Sequence, residues 1–282
     1  MALLTFLSDL SRQFLPSFSN KTSLVTTYTR ELPINLERMY ENALDYEHLP
    51  FLHSSTFSKL EILDAGDWGW KAKACLQPKS VFNKMTLELK LDTEKNRWVT
   101  KTLSGLGKGT EVWTHAIPIS ENKIKVIVDF YVPKLPFFLR KKYTELYSDL
   151  YAQLYDEDLW MMSDRQKELD KLKKTDNLIN EENKILGTLE EIKPQLPYNF
   201  EFNNKNYRLI ELNNNLIAHS TICPHMLGPL NDADLNNGIL ECPWHGYKFD
   251  INTRKCISGQ KCRMAPAPKI IIENKIISAI KN

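Results

Sequence analysis

Late in the chain, cysteine and histidine recur as two close pairs, Cys223-x-His225 and Cys242-x-x-His245, sixteen residues apart. Pro224, Gly228, Pro243 and Gly246 flank them, so each pair belongs to a short, tightly turned loop, and two such loops can face one another. Two thiolates and two imidazoles suit a tetrahedral zinc ion. They also suit a two-iron cluster that takes both sulfurs on one iron and both nitrogens on the other. Much earlier, "DYEHLPFLH" supplies Asp45, His48 and His53. Asp45 and His48 are spaced to share a helix face, and Pro50 interrupts the helix so that both imidazoles can turn toward one point.

Those side chains need elements to hold them. Residues 34–48 place Leu36, Met39, Tyr40, Ala43 and Leu44 at helical spacing. From 57 to 132, alternating runs rich in β-branched residues, parted by Gly, Asp, Asn or Pro, predict an antiparallel sheet. Residues 138–174 return to helical spacing, with Tyr143, Tyr147, Leu150, Leu154 and Met161 in one stripe. Of the neighbouring acids Asp156, Glu157 and Asp158, only Asp158 continues that stripe, and a buried carboxylate needs a partner: a metal ion, or a cation such as Arg165. Glu157 is the alternative ligand. Short strands with Asn-rich turns follow, "KILGTLEEI" among them, and predict a small all-β domain. The fold class is α+β, with domains at 1–184 and 185–282. His115 and His219 read as packing residues, and "GLGKGT" at 105–110 reads as a hairpin because Thr110 stands where a nucleotide loop needs its third glycine.

The 282 residues are 42% hydrophobic, enough for a real core, and the net charge of +2 gives no general affinity for nucleic acid or anionic lipid. No apolar run reaches the roughly 18 residues of a membrane span. "MALLTFLSDLSRQFLPSF" is broken by Asp9 and Arg12 and reads as an amphipathic docking helix rather than a secretion signal. Cys75, Cys256 and Cys262 form no disulfide framework, which fits structural thiols in a reducing cytoplasm.

The run from "CPHMLGPL" through "CPWHGYKFD" to "APAPK" at 265–269 closely resembles the Rieske family over roughly the last hundred residues. The resemblance implies a [2Fe-2S] cluster on Cys223, His225, Cys242 and His245. Gly228 and Trp244 stand where respiratory members carry a disulfide, and Tyr247 replaces a serine that raises the potential. That implies the lower part of the roughly −150 to +300 mV Rieske range. Asp45-x-x-His48-x-x-x-x-His53 resembles the mononuclear-iron segment of the Rieske non-haem oxygenases. His48 and His53 are then ligands, and Asp45 is the bridge that receives the cluster's electron through His245. "EDLWMMSDRQ" resembles the segment supplying the third ligand, assigned to Asp158.

By the same resemblance the first domain is a helix-grip (START/Bet v1-like) sheet with a long C-terminal helix. The implied activity is hydroxylation or demethylation of a mostly apolar small molecule, using the cluster and mononuclear Fe(II) to activate O2. Trp68, Trp70, Trp98 and Trp113 are candidate cavity walls. The implied partners are a separate reductase or ferredoxin and further copies of the chain, head to tail in a trimer. The usual domain order is reversed here, with the iron domain first and residues 175–185 as tether. An alternative is a non-enzymatic Rieske electron carrier fused to a hydrophobic-ligand-binding domain in which Asp45, His48 and His53 merely pack.

Overall fold

Alternation of side chains builds the first sheet, most plainly in the strand Lys123–Pro133. There Ile124, Val126, Val128, Phe130 and Val132 all turn inward and their neighbours outward. The structure, a computed structural model, describes residues 22–133, 135–173 and 180–281. It divides into two compact units, Met1–Ser163 and Asp164–Asn282.

In the first unit, β1 (Thr22–Leu32), β2 (Phe57–Gly66), β3 (Gly69–Leu76), β4 (Lys84–Asp92), β5 (Arg97–Gly105), β6 (Glu111–Ser120) and β7 (Lys123–Pro133) form one antiparallel sheet. Its order is β1-β7-β6-β5-β4-β3-β2. The edge strand β1 escapes the sequence reading because threonines and charges dilute its alternation, and its pairing with β7 defines it. The residues "GLGKGT" form the β5–β6 turn.

Asn35 caps α1 (Leu36–Leu44), its side-chain oxygen accepting from the Arg38 amide at 2.9 Å. The helix stops earlier than its spacing suggests. Asp45 leaves helical geometry with ψ 82°, and a single 3₁₀ turn, Tyr46–His48, follows. The long α2 (Arg140–Lys173) lies against the sheet: Phe130 stacks on Tyr147 at 4.6 Å and meets Tyr151 edge-on at 4.7 Å. Tyr155 and Met162 join Leu32, Met39, Trp70 and Trp98 in one core. A long helix gripped by a seven-stranded antiparallel sheet is the helix-grip (START/Bet v1-like) arrangement, and a small all-β domain follows it.

That second unit holds three three-stranded sheets. They are β11-β10-β9 (Asn215–Ser220, Lys205–Leu212, Tyr198–Phe202), β12-β13-β14 (Leu235–Asn236, Ile239–Glu241, Lys248–Asp250) and β15-β16-β8 (Lys269–Glu273, Ile276–Ile280, Asn183–Thr188). Asn203–Asn204 and Asn213–Asn214 make the two-residue turns with φ between 51° and 61°, a region asparagine tolerates. "KILGTLEEI" is not one strand. β8 ends at Thr188, which forms a capping box with Glu191 and starts the short α3 (Leu189–Ile192). Among the described residues, no helix is long and apolar enough to cross a membrane. The amphipathic stretch at 1–18 and residues 175–179 of the tether at 175–185 lie outside the described residues.

Candidate metal centres and an apolar cavity

His48 closes the 3₁₀ turn after α1, and its carbonyl accepts from Leu52 at 2.8 Å, so the chain doubles back and brings His53 beside it. The two rings lie 5.0 Å apart and 75° from coplanar. Asp158, on the inward stripe of α2, reaches both: its Oδ1 lies 3.0 Å from His53 Nε2 and 3.5 Å from His48 Nε2. Despite that proximity Oδ1 makes no hydrogen bond, and the three ligand atoms fall within 4.8 Å of one another. All three side chains are buried.

Acids surround this trio. Nδ1 of His53 lies 2.6 Å from Glu157 Oε2, and Gln153 Nε2 donates to Glu157 at 2.9 Å and to Ser55 at 2.6 Å. Glu157, weighed in the sequence as an alternative ligand, thus faces the far nitrogen of a ligand candidate and fixes the tautomer that leaves Nε2 bare. Asp45 Oδ2 stands 3.5 Å from His48 Nδ1. Burial disfavours a charged His53, but Asp158 and then Glu157 outweigh it and raise its pKa. Carboxylates on both sides of two buried imidazoles are an excess of negative charge that a divalent cation would neutralise, and two histidines with one carboxylate are the donor set of a non-haem iron with open positions. Asp156 points elsewhere, paired with Arg30 at 2.6 Å.

The trio sits in the wall of a cavity of about 720 Å³, within the roughly 300–1,000 Å³ typical of small-molecule sites. Trp70 and Trp98 line it with Leu87, Leu89 and the tyrosine face of α2. Trp68 and Trp113 do not. Trp68 is partly exposed, and Trp113 lies under the Arg97 guanidinium at 4.8 Å and against Tyr131. Burial pushes Tyr147 up to about 12 and raises Tyr155 well beyond the phenol range, although hydrogen bonds with Thr110 and Thr114 pull the other way. The phenolic wall is therefore neutral.

In the second unit the two cysteine–histidine loops share one construction. The Cys223 amide donates to Gly228 O at 2.8 Å and the Cys242 amide to Tyr247 O at 2.9 Å. The fourth residue after each cysteine is left-handed, Leu227 at φ 62° and Gly246 at φ 64°. The His225 and His245 rings stand 4.6 Å apart, and His225 stacks on Tyr247 at 4.4 Å. The Cys223 and Cys242 side chains are buried and face one another. The hydrogen bond between them raises Cys223 and, with help from His245 and against burial, lowers Cys242 to about 5. Sulfurs pair with one another and imidazoles with one another, the division that a two-iron cluster with one pair per iron requires. Among the described residues, His48, His53 and Asp158 are the group whose ligand atoms converge closely enough for a single ion.

Gly228 packs on Trp244: a Cβ at 228 would stand 2.9 Å from the indole and 3.2 Å from Cys242 Sγ. Aromatic packing thus joins the two positions that a disulfide joins in respiratory members. All five cysteines are free thiols. His219 is buried with Nδ1 2.9 Å from Ser220 O, and burial lowers its pKa, as for a packing residue. His115 faces Arg97 across β6 and β5.

Residues 183–269 match the family model of the Rieske [2Fe-2S] domain, so this part of the chain is an iron–sulfur electron-transfer domain. A stretch of 29 residues is 59% identical to the oxygenase component of dicamba O-demethylase from Stenotrophomonas maltophilia, covering 10% of this chain and 9% of that relative. Norcoclaurine synthase from Thalictrum flavum aligns at 17% identity and TM-score 0.43 over 54% of this chain and 99% of its own. The ferredoxin of carbazole 1,9a-dioxygenase from Nocardioides aromaticivorans aligns at 19% identity and TM-score 0.32 over 36% of this chain and all of its own.

Proposed function

We propose that the chain is a Rieske-type oxygenase, with Fe(II) held by His48, His53 and Asp158 and the [2Fe-2S] cluster by Cys223, His225, Cys242 and His245. The observation that carries this reading is Asp158 Oδ1, buried and without a hydrogen bond between two imidazoles in the wall of an apolar cavity. A buried carboxylate in that state is costly, and coordination removes the cost. When bound, the iron supplies a site for O2 activation and the cluster supplies electrons one at a time.

The residues of the chain do the rest. Glu157 holds the far nitrogen of His53 and Asp45 stands beside that of His48, with both Nε2 atoms facing Asp158. The leucine, tryptophan and neutral tyrosine walls bind a mostly apolar small molecule and exclude water. Hydroxylation or demethylation of that molecule is the reaction class. A separate reductase or ferredoxin delivers the electrons, and a trimer of chains is the expected assembly.

The test is an iron count. The reconstituted protein should hold three irons per chain, and Asp158→Ala should hold two while keeping the visible and paramagnetic spectrum of the cluster. Two irons in the parent protein would reduce it to an electron carrier with a ligand-binding domain.

A further inference from the structure

The cavity has one end at which its lining residues, among them Leu106, Lys108, Leu135 and Pro136, are also at the surface. Three connections meet there: the β3–β4 turn, the β5–β6 hairpin and the segment from β7 into α2. The Leu106 amide donates to Lys84 O at 3.0 Å, and a Cβ on Gly109 would lie 3.1 Å from Pro133 Cγ, so the three run side by side. Large apolar side chains project from the first and third: Val81 is 70% exposed, Phe82 56%, Phe137 89% and Phe138 62%. Phe137 and Phe138 contact each other edge-on rather than folding into the core.

Their surroundings are one-signed. Lys79, Lys84, Lys108, Arg140, Lys141 and Lys142 are exposed on these segments. Residues 77–84, 104–110 and 133–142 contain no aspartate or glutamate. The nearest acid along α2 is Glu145, 3.9 Å from Lys141. A chain that is almost neutral overall thus concentrates cations around an apolar rim at the mouth of an apolar cavity.

We propose that this rim is a docking face for anionic phospholipid bilayers, with the four apolar side chains inserted among the acyl chains and the cations against lipid phosphates. The cavity mouth then faces the lipid, and an apolar substrate passes from bilayer to cavity without crossing water. The substrate class this implies is a molecule that partitions into membranes. That last step rests on the oxygenase reading; the docking itself does not.

Co-sedimentation of the holoprotein with vesicles separates the two. Vesicles of phosphatidylcholine with phosphatidylglycerol should pull the protein down at low salt and release it at high salt, while phosphatidylcholine alone should retain little. Lys141→Glu with Lys142→Glu should weaken partitioning by about thirtyfold, and Phe137→Ser with Phe138→Ser by about tenfold or more. These exposed positions should leave circular dichroism and iron content unchanged. No preference for anionic vesicles, or undiminished partitioning of both double variants, overturns the proposal. So does a result in which the variants bind vesicles normally but accept electrons from a ferredoxin more slowly, which would make the rim a protein-docking face. A normal iron count with failed vesicle binding would leave the oxygenase reading standing.

Discussion

The two candidate metal centres are built in opposite ways. In the second unit each loop closes on itself, by Cys223 N to Gly228 O and Cys242 N to Tyr247 O, so its ligands are positioned by turns a few residues long. In the first unit the trio joins a turn at His48–His53 to Asp158, more than a hundred residues downstream on α2, and Glu157 holds the His53 ring from its far side. A local site fails when its own loop is damaged, and a dispersed site fails when the elements carrying it shift.

Cys242→Ser tests the local half most severely. It should abolish the cluster's absorption and paramagnetic signal while one iron per chain remains on the other unit; loss of both metals would show that the centres are not independently built. Next in size, Glu157→Gln leaves a weaker acceptor for His53 Nδ1 and should lower affinity for the mononuclear iron by about 10- to 100-fold, read by iron titration with the cluster spectrum as internal control. Unchanged affinity would reduce Glu157 to a bystander. Gly228→Ala forces a methyl into the Trp244 contact beside Cys242 Sγ. Overpacking of about 1–3 kcal/mol should appear as a lower temperature of cluster bleaching, with no effect on the first unit. Smallest, Tyr155→Phe removes a buried hydroxyl hydrogen-bonded with Thr114 and should cost about 1 kcal/mol in urea unfolding of the first unit alone.

The same contrast governs what could be read from the residues. The cysteine–histidine loops announce themselves because ligand types, prolines and glycines sit within a few residues of one another. The sheet and α2 are legible where alternation or helical spacing is strong, as in β7. β1 is missed because its outward residues are threonines and charges, and α1 is read too long because nothing in "DYEH" marks the break at Asp45. The orienting role of Glu157 leaves a faint signal, an acid adjacent to Asp158 with Gln153 one turn before it. Trp68 and Trp113 show the limit of residue type alone: one is in the β2–β3 turn and the other in β6, and neither lines the cavity.

The sequence by itself determined the second unit's chemistry and the first unit's class of fold, because local spacing dictates both loop closure and amphipathic faces. Only the tertiary structure decided that His48, His53 and Asp158 meet, that Glu157 faces an imidazole rather than joining them, and that the exposed phenylalanines and lysines share one rim. Long-range proximity of that kind is set by how a sheet and a helix pack, and no short window of residues encodes it.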